Sequence, residues 1–380
     1  MYIIRATNVH DADFQNVTIY DPCVDELQVI AAVLTKEDNQ ADNFTFTPAH
    51  DNRLAQNLEI LNTYIVVVDD GKQVFRGRIL NVETDLYNNP TYVCEGELAF
   101  LADSIVRPYN TNDWSDRSVG SYINYLLREH NDRVDPNRRI FLRSTTVDWG
   151  TGNGIRASSV YPDTLNELIS KLPDVLGGHL MIDQANGVTV LDYYAESPFE
   201  SNQTIELGEN ILDLSYMIDG SDIATTIIPL GAKIDEDTEN ERRLTITSVN
   251  NALDFVSDAD AVEKYGHISK VVIYDDVTLP HNLLERGLRA LKQNLNLIAT
   301  VTVNVIDLQK TGVDVDVIGF LDYVRVKSEL HGLDGKFLVT RIEKDLLNPA
   351  NDTLTLGNSY KSLTKSTAVM GEQVRAVYHF

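Results

Sequence analysis

Short apolar runs separated by turn residues constrain this chain most. Residues 64–69 form a β-branched run that ends in Asp69-Asp70-Gly71, and residues 73–84 alternate in polarity behind it. Asp-Gly at the centre of such a pair supplies the positive φ angles of a two-residue hairpin. A second turn, Tyr87-Asn88-Asn89-Pro90, leads into residues 91–98. Upstream lie a short apolar opening over 1–5, a run over 16–20 before the turn signal Asp21-Pro22, and 41–48 with alternating Phe44 and Phe46. Strands joined by short turns predict a meander that closes into a barrel or sandwich.

The pattern then changes. Val119, Tyr122, Ile123, Leu126 and Leu127 have helical spacing over 118–129, with Ser118 as N-cap. Leu165, Leu168, Ile169 and Leu172 mark a second helix, which Pro173 is expected to stop. Residues 178–182 and 187–192 read as a hairpin around Ala185-Asn186-Gly187. Strand patterns resume over 211–218 and 224–232, followed by a very polar loop at 233–243. The longest helix is expected over 283–297, with Leu284, Leu288, Leu291 and Leu295 as its stripe. Strands follow over 299–307, 323–328, 335–345 and 352–356. The expected fold class is α+β, mostly β. Its domains are a first β-barrel over 1–103, completed by about 205–232, and an α+β module over 104–204. A second β-barrel over 205–362 carries the helix, and a mobile or partner-ordered tail spans 363–380.

With 32 Lys plus Arg against 57 Asp plus Glu, the formal net charge is −25. Phosphate backbones and anionic membranes are bound through clustered cations, so both are excluded as tightly held ligands. An acidic wall does suit a surface that must not stick to passing DNA. Cys23 and Cys94 form no metal or redox motif and read as buried apolar residues. The N-terminus lacks the pattern of a signal peptide, and no apolar run approaches the roughly 20 residues of a membrane span. Synthesis in a cytoplasm, without membrane insertion, is the expectation.

Chemistry-bearing motifs are sparse. No HExxH, GxSxG, P-loop or GxGxxG occurs, and the eight His residues are scattered. His179 reads as packed or exposed within a strand. Asp314 and Asp316 share a strand face that calcium could use, as could the acidic loop 235–241, but neither has the glycine and ligand spacing of an EF-hand. Both read as solvated faces. Gly152, Asn153 and Gly154 lack the Lys-Ser or Lys-Thr of a phosphate cradle. Tyr122, Tyr125, Tyr193 and Tyr194 suit either a sugar-stacking platform or, in preference, core packing. No catalytic, cofactor-binding or metal-ligating residue is assigned.

Four segments taken together resemble the N-terminal structural region of siphophage tail-tip proteins, the group known as minor structural or endopeptidase tail proteins. The first is the hairpin 64–79 with Phe75-Arg76-Gly77-Arg78. The second joins 207–214 to 224–232, with Ile227-Ile228-Pro229-Leu230-Gly231-Ala232. The third comprises Lys264-Tyr265-Gly266-His267-Ile268, Asp275 to Thr278, and the Leu-rich helix. The fourth runs from Asn348-Pro349 to Gly357.

The resemblance implies a fold similar to the central hub of contractile-tail baseplates. It implies a homotrimer whose two related barrels per chain present a pseudo-sixfold ring to a hexameric distal tail protein. Receptor-binding proteins and a tape-measure protein are the other implied neighbours. DNA would pass through the channel without specific binding. The implied role is structural, at the distal tip of the virion's tail, closing the tube and opening for DNA ejection. Many relatives continue into a lysin, endopeptidase or fibre domain, and these 380 residues show no nucleophile or zinc motif for one. A peptidoglycan or peptide hydrolase and a host-wall carbohydrate-binding module are the alternatives.

Overall fold

The computed structural model describes residues 1–8, 15–110, 116, 118–149, 157–158, 161–234, 242–275, 277–295, 298–306, 317–357 and 375–377. The expected class, α+β and mostly β, is observed. The chain forms two compact units, one of residues 1–215 with 301–359 and one of 216–300 with 360–380.

The first unit opens with β1 (Tyr2–Asn8), β2 (Val17–Tyr20), β3 (Val29–Glu37), β4 (Asn43–Pro48), β5 (Thr63–Asp69), β6 (Lys72–Thr84) and β7 (Pro90–Gly96). The β5–β6 turn carries Asp70 at φ 47° and Gly71 at φ 84°, as an Asp-Gly hairpin requires. Phe44 and Phe46 stack 5.4 Å apart on β4, and Phe75, Ile79 and Cys94 complete a dry core beside them. Gly77 is obligatory at the β6–β7 crossing, because a Cβ there would lie 2.1 Å from the Glu95 carbonyl oxygen. Cys23 departs from its expected burial and is exposed. It sits in the turn after Asp21-Pro22, where its N–H donates to Asp21 Oδ1 at 2.9 Å.

The middle of the chain holds β8 (Tyr109–Asn110), α1 (Val119–Asn131), β9 (Ile140–Thr145), β10 (Ala157–Ser158), α2 (Thr164–Lys171), α3 (Pro173–Leu176), β11 (His179–Ala185) and β12 (Val188–Tyr194). Ser118 Oγ caps α1 by accepting from the Ser121 N–H, and Asp163 caps α2 by accepting from Asn166. Pro173 ends α2 as expected but also begins α3, because a proline lacks only a donor that a helix's first turn leaves free. β11 and β12 form the expected hairpin, with Asn186 at φ 53° and Gly187 at φ 76°, and β9 adds parallel to β12. Tyr122, Leu126, Leu168, Leu172, Leu191 and Tyr193 form the core between these layers.

β13 (Glu200–Glu206) and β14 (Ile211–Asp219) follow. The second unit then contributes β15 (Thr226–Leu230), β16 (Val256–Ser257), α4 (Ala259–Tyr265), β17 (Ser269–Ile273) and α5 (Pro280–Asn294). β15 and β17 pair in parallel, and α5 packs on β15, where Gly287 leaves room for Pro229. Of the expected stripe, Leu284, Leu291 and Leu295 pack on this unit's core, joined by Leu283, Gly287 and Ala290, whereas Leu288 is half exposed. Pro280 starts the helix three residues before the expected Leu283, since its fixed φ suits the first helical position.

The chain returns through β18 (Ile298–Val305), β19 (Tyr323–Ser328), β20 (Leu333–Asp345) and β21 (Thr353–Gly357). A last strand, β22 (Arg375–Val377), pairs antiparallel with β17. The rest of the expected tail lies outside the described residues.

One sheet carries an internal repetition. Its path runs β14-β18-β21-β20-β3-β4-β7-β6-β5-β1-β2. The first four strands and the next four follow the same plan, so β14, β18, β21 and β20 correspond to β3, β4, β7 and β6. Local detail agrees. Both long strands carry a bulge against their hairpin partner, between Ile79 and Asn81 on β6 and between Val339 and Arg341 on β20. Leu61 and Leu321 both adopt a left-handed backbone, at φ 62° and 64°, and donate to the carbonyls of Ile79 and Val339. Both strands end in Glu-x-Asp-Leu-x-Asn, at 83–88 and 343–348. In each, the Asp Oδ1 accepts from the N–H two residues on, at 2.8 Å for Asp85 and 3.0 Å for Asp345. The two repeats meet where β20 pairs antiparallel with β3, from Arg341 opposite Glu37 to Asp345 opposite Val33.

Candidate assembly edges

The Phe-Arg-Gly-Arg segment of β6 is a structural seam. Arg78 donates to Glu95 at 2.7 Å and to both oxygens of Asp103, at 2.5 and 2.8 Å, and its guanidinium lies 5.2 Å from the centre of the Phe100 ring. Burial pushes the Asp103 carboxyl up, but the hydrogen bonds and charge of Arg78, with Arg138 beside it, more than offset this and hold it below its ordinary value. Arg76 pairs with Glu97, whose oxygens also accept from Gln184 and Thr189 on the β11–β12 hairpin. The two arginines thus join the first strands to the α+β layers. Charge-assisted bonds of this kind fix geometry where neutral ones would allow slippage.

Two buried clusters have the residue types of catalysis without access for a substrate. His130 Nε2 donates to the Arg138 carbonyl at 3.1 Å, which leaves Nδ1 to accept from Ser104 Oγ at 2.8 Å. Ser104 in turn meets Thr164 Oγ1 at 2.7 Å. Burial lowers the His130 pKa and keeps the ring neutral. A Ser-His dyad needs an open face on the serine, and all three side chains are buried. Tyr109, Tyr122 and Glu167 form the second cluster, equally enclosed. Among the described residues no group of three or more His, Cys, Asp or Glu is placed to hold a metal ion. No helix among them is long and apolar enough to cross a membrane.

Exposed apolar residues gather instead at two unpaired strand edges. Beyond Ile79, β6 continues past the end of its pairing with β5, so residues 81–84 are bonded to β7 alone among the described strands. Leu61, Leu80, Val82, Leu86 and Tyr87 lie exposed along this edge. The turn is preorganised, because Asp85 accepts from the N–H groups of Tyr87 and Asn89 and from the Asn89 side chain. The other edge is β14, at the far end of the sheet path, where Leu212, Met217 and Ile218 are exposed. An edge strand that presents unpaired backbone N–H and C=O groups beside exposed apolar side chains is a template for pairing with another chain.

The residues singled out from the sequence are dispersed. His179 Nδ1 meets Asp38 Oδ2 at 2.8 Å, tying β11 to the β3–β4 turn. Tyr122, Tyr125 and Tyr193 are core residues and Tyr194 packs edge-on against Phe199, so the four tyrosines form no platform. Asp314, Asp316, the loop 235–241 and Gly152 to Gly154 lie outside the described residues. The two edges were missed, although the repeated Glu-x-Asp-Leu-x-Asn was a visible signal for the one on β6.

This architecture is similar to that of solved phage tail proteins. The chain aligns with a 43 kDa tail protein of prophage MuSo2 from Shewanella oneidensis at TM-score 0.58 and 14% identity, over 94% of this chain and 97% of that one. It aligns with prophage tail protein gp18 from Listeria monocytogenes at TM-score 0.55 and 14% identity, over 96% and 97%. A tail protein from Neisseria meningitidis gives 0.57 and 13%, over 94% and 97%. Residues 199–367 match the family model described as prophage endopeptidase tail. That span contains the second, third and fourth motifs noted above, while the first lies on β5 and β6. No curated protein matches the chain. The fold is therefore similar to that of these phage tail proteins, and the family match covers residues 199–367.

Proposed function

We propose that this chain is the hub at the distal tip of a non-contractile phage tail. Three copies close the tail tube until infection and open it for DNA ejection into the host. The observation that supports this reading is the strand order repeated along one sheet. A chain with two like units lets a trimer present six, and a sixfold ring is what a hexameric distal tail protein offers for docking. The two repeats are, on this reading, the related β-barrel units expected over 1–103 and 205–362.

The mechanism is packing rather than bond chemistry. The Arg76–Glu97 and Arg78–Asp103 seam holds the α+β layers in register with the first repeat. The net charge of −25 keeps DNA from adhering in transit. Receptor-binding and tape-measure proteins are the remaining neighbours in the virion. Electron microscopy of the purified chain mixed with the distal tail protein of the same phage tests the reading. A trimer seated on a hexameric ring is expected. A chain that stays monomeric with and without that ring overturns it.

A further inference from the structure

We infer that the open edge of β6, residues 81–85, pairs antiparallel with β14 of a second copy of this chain. This deepens the trimeric reading above and rests on it. The junction inside the chain is the template. There β20 pairs with β3 over 341–345, and the Leu346 N–H continues the ladder by donating to the Ala32 carbonyl at 2.9 Å. By the repeat, β6 corresponds to β20 and β14 to β3. The chain therefore holds one completed junction and both halves of a second, unmet one.

Burial at corresponding positions makes the same point. Leu346, after β20, is 5% exposed, and its counterpart Leu86 is 93% exposed. Ile342 is 3% exposed and its counterpart Val82 37%. Leu321 is 0% exposed and Leu61 43%. These pairs share bulge, turn and backbone conformation and differ in whether a strand lies alongside. The missing neighbour has the chemistry of β14, a strand with exposed Leu212, Met217 and Ile218 and with charges only at Asp213 and Asp219, which ends the sheet path among the described strands. Its four residues Ser215, Tyr216, Met217 and Ile218 are without formal charge, so Glu83 and Asp85 meet no carboxylate there in a strand-to-strand contact.

The contact is heterologous, because β6 and β14 are different surfaces. Repeated from copy to copy it closes a ring or runs on as a filament. In a closed trimer it joins six four-strand repeats into one continuous sheet.

Photo-cross-linking from p-benzoylphenylalanine placed at Glu83 tests the pairing, with the subunit number of the same sample read by sedimentation. The expected product has twice the chain mass, and its cross-linked peptide lies within 211–219. A trimer whose cross-links land elsewhere overturns the edge pairing and leaves the trimer standing. A monomer with no cross-linked dimer overturns both. Leu86→Ser gives a second measure free of folding defects, since Leu86 touches solvent in the single chain. It is expected to raise the concentration for half-dissociation by about tenfold or more, and an unchanged value overturns the pairing.

Discussion

Replacing Arg78 with Met keeps most of the side chain's length and its packing over Phe100 but removes the cation between Glu95 and Asp103. The Arg78 side chain is only 7% exposed, while those of Glu95 and Asp103 are 19% and 21% exposed. Removing one partner from a fully buried pair costs about 3–5 kcal/mol, mostly as the penalty of the stranded charge. Here the carboxylates keep some solvent, and Asp103 keeps Arg138 at 3.0 Å. The expected loss is therefore about 2–3 kcal/mol, after discounting the buried-pair figure for that solvent. Urea unfolding followed by tryptophan fluorescence reads it, because Trp149 is buried in the core of the α+β layers that the seam anchors. Arg78→Lys should fall between wild type and Arg78→Met, as one ammonium cannot reproduce the forked contacts. A Met variant within about 0.5 kcal/mol of wild type, the usual range of a neutral surface change, would refute the role given to the seam.

Gly77→Ala should destabilise the first unit by about 3 kcal/mol, since the added Cβ meets the Glu95 backbone carbonyl as well as the Phe75 ring and the β6–β7 ladder must part; thermal unfolding checks it. Burial depresses the His130 pKa below its ordinary 6.5, so the unfolded chain takes up the proton first as pH falls. Its contribution to stability is complete above pH 6.5 and is lost as pH drops toward the folded value. Urea midpoints measured between pH 5 and about 7 should thus rise with pH in wild type and flatten in that window in His130→Gln. Purified protein on a peptidoglycan zymogram should produce no clearing; a cleared zone would favour the hydrolase reading.

Much of the fold was legible because turns and caps are local chemistry. Asp70-Gly71 and Asn186-Gly187 announce hairpins through their positive φ, and Ser118 announces α1 through its cap. β3 escaped because Val29-Ile30-Ala31-Ala32-Val33-Leu34 is apolar throughout, with no alternation to separate strand from helix. The stripe on α5 was legible in Leu284, Leu291 and Leu295 but not in Gly287, which is buried for its smallness against Pro229, a fit that hydrophobicity does not register. The repeat was implied by the resemblance and was not legible in the residues themselves. Its shared residues are few, and the whole segment 220–297 separates β14 from β18 where only a short turn separates β3 from β4. Backbone features such as the paired bulges and the left-handed Leu61 and Leu321 carry the correspondence, and neither residue type suggests them in advance.

The most direct test is a reconstruction of the assembled particle at a resolution that traces strands. Residues 81–85 of each copy are expected to lie about 4.8 Å from β14 of its neighbour, with Leu86 covered as Leu346 is within the chain. An assembly in which both edges still face solvent, or in which β6 is covered by anything other than β14, contradicts the account.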